Sequence, residues 1–177
     1  MYDYDLFSDP YAYNVPITRT FNAQEPNPYY SLNNWRNPHQ TKDSGREPFV
    51  ININEASKRN TNYRTTPWTG RHLQLTLMSI NVGDDIGLEQ HRNNDQFIRI
   101  EDGQGIVMMG DSQDNLNFRR EVYPGFAFII PAGKWHNLVN TGSKPIKLYS
   151  IYAPAHHPRG TVHVTKKDAE AEEHNNY

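Results

Sequence analysis

Between residues 73 and 153 the chain is a series of short apolar segments, interrupted by turn-forming residues every ten or so positions. That cadence excludes most folds. "RHLQLTLMSINVG" alternates apolar and polar residues, so Leu73, Leu75, Leu77 and Ser79 are expected on one face of a half-buried strand. "DQFIRIEDGQGIVMMGD" reads as two strands around an Asp-Gly hairpin turn. "FRREVYPGFAFIIPAGKWHNLVNTGSKPIKLYSIYAP" supplies further strands, punctuated by Pro-Gly, Pro-Ala-Gly and Thr-Gly. Short strands at this spacing require an all-β sandwich or barrel. No apolar run approaches the roughly 20 residues of a bilayer-spanning helix, so no membrane partner is expected.

The flanking sequence has a different character. Residues 1–48 are rich in Tyr, Asn, Pro and Asp, and hold six of the eleven tyrosines within the first thirty positions. No hydrophobic period is sustained there and the prolines interrupt regular elements, which predicts an irregular arm. Its tyrosines suit contact with this subunit or a neighbour, because each pairs a large apolar area with a hydroxyl. "PFVININEASK" reads as a short strand followed by a turn or helix, and "RNTNYRTTPWTG" as a loop. "TKKDAEAEEHNNY" begins with a Thr N-cap and predicts a short helix or frayed tail. The expected organisation is therefore an arm over 1–48, a barrel over 49–160 and a tail over 161–177.

Charge and cysteine content narrow the function classes. Eighteen Lys and Arg against twenty Asp and Glu give a formal charge of −2, without a dense basic run, so nucleic acid is not an expected partner. The absence of cysteine removes disulfides, thiolate zinc sites and cysteine nucleophiles together. "MYDYDLFSDP" has neither a basic start nor an apolar core, so no secretory signal is read. The expected location is cytoplasmic, or a spore or cell-surface assembly reached without a signal peptide.

Two glycine-spaced patterns carry the chemistry. Gly125 is followed after five residues by Pro131-Ala132-Gly133, then after two by His136 and after three more by Asn140. Upstream, Gly83 is followed after five residues by Glu89-x-His91, then after four by Gln96 and after six by Gly103. The second pattern resembles the second motif of the cupin superfamily at every defining position. The first resembles the family's first motif, with Glu89 where a histidine is usual and Gln96 where a glutamate is usual. The resemblance covers roughly residues 70–155 and implies a jelly-roll β-barrel of one domain with a metal in its lumen. It also implies homodimers, or larger homo-oligomers if the arm is exchanged between subunits.

Residues two apart on a strand share a face, so Glu89 and His91 can address one target. Gln96 would join from the next strand and His136 from the second motif. The set keeps the formal charge of three histidines and one glutamate, and its mixture of imidazole and oxygen suits Zn²⁺, Mn²⁺, Fe²⁺ or Ni²⁺. Phosphomannose isomerases, which are zinc cupins, use the same ligand types with the Gln and Glu places exchanged. Asp95 neighbours Gln96 but should face away from it in a regular strand. Arg64 and Trp68 precede the first core strand and are candidates to line the barrel mouth, where a guanidinium can hold an anion. Tyr149 is a further substrate-binding candidate; it and Tyr152 differ in parity, so at most one faces the lumen. His72, His156, His157 and His163 are read as loop or end-of-strand histidines.

The leading functional expectation is a metal-dependent enzyme acting on a small sugar-like or enolisable molecule by Lewis-acid, isomerase-type chemistry. With iron in the site, dioxygenase chemistry is the redox counterpart. A different class of reading is a non-catalytic cupin that builds coats, shells or filaments through its Tyr-rich arm, by compositional analogy with bacterial spore-surface proteins.

Overall fold

A computed structural model describes residues 42–175, with side chains through residue 172. Most of the expected arm and its subunit exchange lie outside the described residues. The part that is described, residues 42–48, is tied to the barrel by Asp43. Its carboxylate accepts hydrogen bonds from the backbone N–H of Gly45 (2.7 Å), Thr69 (3.0 Å) and Gly160 (3.0 Å) and from Thr69 Oγ1 (2.6 Å).

The all-β jelly roll expected from the sequence is what the described residues form. The elements in chain order are α1 (Ile53–Arg59), β1 (Arg64–Thr69), β2 (Gln74–Ile80), β3 (Glu89–Gln90), β4 (Asp95–Asp102), β5 (Gly105–Gly110), β6 (Phe118–Val122), β7 (Ala127–Ile130), β8 (Trp135–Asn140), β9 (Ile146–Ala153), β10 (Val162–His163) and α2 (Lys166–Asn175). They make two antiparallel sheets, ordered β10-β1-β2-β9-β4-β7 and β3-β8-β5-β6. Met78, Ile80, Ile98, Ile100, Val107, Leu138, Ile146 and Leu148 fill the space between them.

Several local expectations change. The segment from Arg64 is not a loop but strand β1, interrupted by a register shift between Thr65 and Trp68 that accommodates Pro67. The strand read in "PFVININEASK" is absent, and α1 is capped by Asn52, whose side chain accepts from the Glu55 N–H at 3.2 Å. On β2 the lumen face is Gln74, Thr76, Met78 and Ile80, whereas Leu73 and Leu75 look outward and only Leu77 and Ser79 of the expected set are buried. β4 and β5 do not form a hairpin; the turn between them crosses from one sheet to the other. Gly103 makes that crossing possible. Its φ is +79°, and a Cβ there would lie 2.8 Å from the Ile146 backbone. The expected tail supplies an edge strand, β10, and then α2, whose start is a reciprocal cap: Thr165 N donates to Asp168 Oδ2 (2.8 Å) and Asp168 N to Thr165 Oγ1 (3.3 Å).

Candidate metal centre

Glu89 and His136 meet because β3 pairs with β8 in the register Glu89↔His136, which sends both side chains into the lumen. His91 follows one residue beyond β3. The backbone fixes this junction twice: Gly133 N donates to His91 O at 2.8 Å, and Gln90 Nε2 donates to Gly133 O at 2.9 Å. Gly133 occupies the turn at φ +82°, a conformation costly for any residue with a Cβ. The two sequence motifs, distant in the chain, are thereby stitched edge to edge.

The donor atoms of Glu89, His91 and His136 all lie within 4.8 Å of one another. Glu89 Oε1 is 3.4 Å from His91 Nε2 and 3.3 Å from His136 Nε2. Neither approach has hydrogen-bond geometry, and both buried Nε2 atoms have no hydrogen-bond partner in the described structure. The tautomer of His136 follows from its other nitrogen. Nδ1 lies 3.0 Å from Lys134 O, a carbonyl that can only accept, so Nδ1 carries the proton and Nε2 presents a lone pair. Burial pushes the Glu89 carboxyl up. The polar contacts of His136 and His91 and the charge of Arg64 outweigh that and hold it well below the usual carboxylate range. An ionised carboxylate and a bare imidazole nitrogen aimed at one point, beside a second orphaned imidazole nitrogen, fit a divalent cation.

Gln96 sits on the inner face of β4, 1% exposed. Its amide N–H donates to Ser150 Oγ at 2.9 Å, which turns Oε1 away as a second kind of orphaned acceptor, buried and unpartnered. Asp95 points the other way, as its parity requires, and accepts from Ala132 N at 2.9 Å.

The cavity bordering the cluster, about 790 Å³, is lined by Arg64, Glu89 and His91. Arg64 reaches it from β1, opposite Met78 and His163. Trp68 does not reach it: the residue stands across from outward-facing Leu75 and donates its indole N–H to Glu47 O at 2.9 Å. Tyr149 is placed on the outer face, its ring 6.0 Å from that of Phe97. The lumen tyrosine is Tyr152, 5.5 Å from the His91 ring.

Sequence reasoning passed over two residues. His156 packs its ring 4.1 Å from that of His91 and stacks on Tyr152, and His157 stands beside it at 4.7 Å. His156 keeps one side open to solvent, yet the protein around it, then the charges of His91 and Arg64, push its pKa down to about 4. Burial, followed by Arg64 and His156, takes His157 down to about 2. Both are neutral imidazoles at pH 7. The only sequence signal was a histidine pair directly after the last long strand.

The profile of the family described as Cupin domain matches residues 76–152. The chain is similar to the uncharacterised protein YrkC of Bacillus subtilis (strain 168), at 62% identity over 132 residues, which cover 75% of this chain and 71% of that protein. It is also similar to the uncharacterised protein L612 of Acanthamoeba polyphaga mimivirus, at 40% identity over 67% of this chain and 72% of the other. The crystal structure of BH2720 from Bacillus halodurans superposes with a TM-score of 0.73 at 59% identity, covering 73% of this chain and 98% of that one.

Proposed function

The chain belongs to the cupin superfamily, and from that premise we propose that it is a metal-dependent enzyme acting on a small, polar, enolisable substrate. Glu89, His91 and His136 would hold the ion, with Gln96 Oε1 as the fourth ligand. The observation that carries this reading is the convergence of a carboxylate and two buried, unpartnered imidazole nitrogens within 4.8 Å. When bound, a divalent ion supplies Lewis acidity, polarising a carbonyl or acidifying a bound hydroxyl. The protein residues supply orientation. Lys134 O fixes the His136 ring, Ser150 Oγ fixes the Gln96 amide, and His156 lines the cavity beside His91 as a neutral imidazole.

The oxygen donors of this set do not require an ion that cycles its redox state, which keeps isomerase-type chemistry slightly ahead of the dioxygenase chemistry that Fe²⁺ on two histidines and a carboxylate would support. Zn²⁺, Mn²⁺, Fe²⁺ and Ni²⁺ all suit a mixture of imidazole and oxygen. Elemental analysis of protein purified without added metal should find an equimolar divalent ion, and His136→Ala should lose it while remaining folded by circular dichroism. A parent protein that holds no stoichiometric metal even after reconstitution sinks the reading.

A further inference from the structure

The two histidines of the candidate metal centre are steadied by different means. His136 is fixed by its hydrogen bond to the Lys134 carbonyl. The His91 ring is bounded by other rings instead, with centroids at 4.1 Å for His156, 5.1 Å for His136 and 5.5 Å for Tyr152. Its backbone is pinned to Gly133, which leaves the side-chain torsions to be set by packing. The nearest of those rings, His156, belongs to residues 154–158, which follow β9 and lie in no strand. Whatever holds His156 therefore bears on where His91 aims its Nε2.

Two buried amides hold that segment. Asn94, from the loop just beyond His91, is 8% exposed and donates from Nδ2 to Pro154 O at 2.7 Å and to Ala155 O at 3.4 Å. Gln74, fully buried on the lumen face at the start of β2, stands beside Tyr152 in the ladder. Its Oε1 accepts from His156 N at 3.2 Å and from His157 N at 2.9 Å. Its Nε2 donates to His157 O at 2.8 Å and to Thr69 Oγ1 at 3.0 Å. Both lone pairs and both protons of the amide are thereby used. Three of these bonds go to the backbone of the two histidines, where a strand partner would otherwise stand. So held, the His156 ring lies on Tyr152 at 5.3 Å with 23° between planes, and meets His91 at 58°.

We infer that Gln74 is the positioning residue of His91. It fixes the backbone at residues 156 and 157, His156 buttresses the His91 ring, and the ring keeps Nε2 turned towards Glu89. This deepens the metal-centre reading given above, on which its metal-binding consequence rests. Neither Gln74 nor His156 is among the proposed ligands; both act through one.

The test uses full-length protein with isotope-labelled histidines, the variants Gln74→Met and His156→Ala, and their double variant, each first checked for a cooperative thermal transition. Methionine matches the length of glutamine and offers none of its hydrogen bonds. In metal-free protein, nuclear magnetic resonance should show the His91 ring signals shifted or broadened in both single variants. Those of His136, tied to Lys134 O, should stay in place. Zinc affinity, read by competition with a chelator, should fall roughly 10-fold in each single variant, the lower end of losses from partners that orient a ligand. The double variant should lose no more than His156→Ala alone, because the two residues act along one line. A glutamine that served only the fold would lower the thermal midpoint and leave both readouts unmoved. His156 is exposed, so its variant should remain folded. Gln74→Asn, an amide one methylene too short, takes the place of Gln74→Met should that variant unfold. Unmoved His91 signals, unchanged zinc affinity in folded variants, or losses that add in the double variant overturn the inference and leave the metal centre standing. A parent protein that takes up neither zinc nor any other divalent ion sinks the metal reading, and the ring signals of His91 and His136 then decide the role of Gln74 by themselves.

Discussion

Asn140, the last residue of the second motif, shows how much one buried side chain can hold. Its Nδ2 donates to Ile80 O at 3.0 Å and Lys144 O at 2.9 Å, and its Oδ1 accepts from Gly142 N at 2.9 Å. Asn140→Ala strands these buried backbone groups, so denaturant unfolding should show a loss of about 2–3 kcal/mol. His157 permits a second prediction. Its pKa falls from the ordinary 6.5 to about 2, so below pH 6.5 the unfolded chain takes a proton that the folded chain refuses. Its contribution is fully present above pH 6.5 and is lost as pH falls from there towards 2, at up to about 1.4 kcal/mol per pH unit. His157→Gln should flatten the stability profile across that window; a variant with the parent's slope would refute the assignment. At this scale the motif residues were legible and the cavity histidines were not. Glu89, His91, Gln96 and His136 stand at fixed distances from glycines that the backbone demands. His156 and His157 reach the lumen through the irregular chain after β9, which has no period to read.

At the scale of elements, α2 is fastened through its first turn. Lys166 Nζ lies 3.1 Å from Asp84 Oδ1 and 2.6 Å from Asp85 Oδ1, and Ala169, 3% exposed, enters the core. Asp85 in turn bridges to Val139 of β8, so the helix is coupled to the strand that carries His136. Lys166→Met should cost under about 1 kcal/mol overall, as partly exposed ion pairs do. Hydrogen exchange should nonetheless quicken in α2 before it quickens in β8. Ala169→Asp should be far more damaging, because it buries a charge in the apolar cluster to which Ala169 belongs. Strand β1 explains why elements were missed. "NYRTTPWT" has no apolar alternation because its inward residue at the first position is Arg64 and its middle is a bulge containing Pro67. A strand that carries a charge on its inner face does not look like one. The supposed β4–β5 hairpin fails for a related reason: an Asp-Gly turn specifies a reversal of the chain, not which sheet the chain re-enters.

For the whole molecule, both sheets contribute residues to the proposed metal centre. β3 and β8 supply Glu89 and His136 from the four-stranded sheet, while Gln96, Ser150, Tyr152 and Arg64 come from the six-stranded one. A ligand bound only by the folded form should therefore clamp both. At a metal concentration 100 times the Kd the gain is about 2.7 kcal/mol, or roughly 5–10 °C in Tm for a chain of this size. Differential scanning calorimetry with and without a chelator should read this shift, and His91→Ala should abolish it. The frame itself, however, owes nothing to any ion. Gly133 N to His91 O, Gln90 Nε2 to Gly133 O and Ala132 N to Asp95 Oδ1 lace the two ligand-bearing segments together without using a single ligand atom. Such a socket is indifferent to what is plugged into it. Glutamate can stand at position 89 and glutamine at 96 without disturbing the wiring, and the same independence would make the four proposed ligand positions exchangeable parts, open to retuning for another cation by side-chain replacement alone.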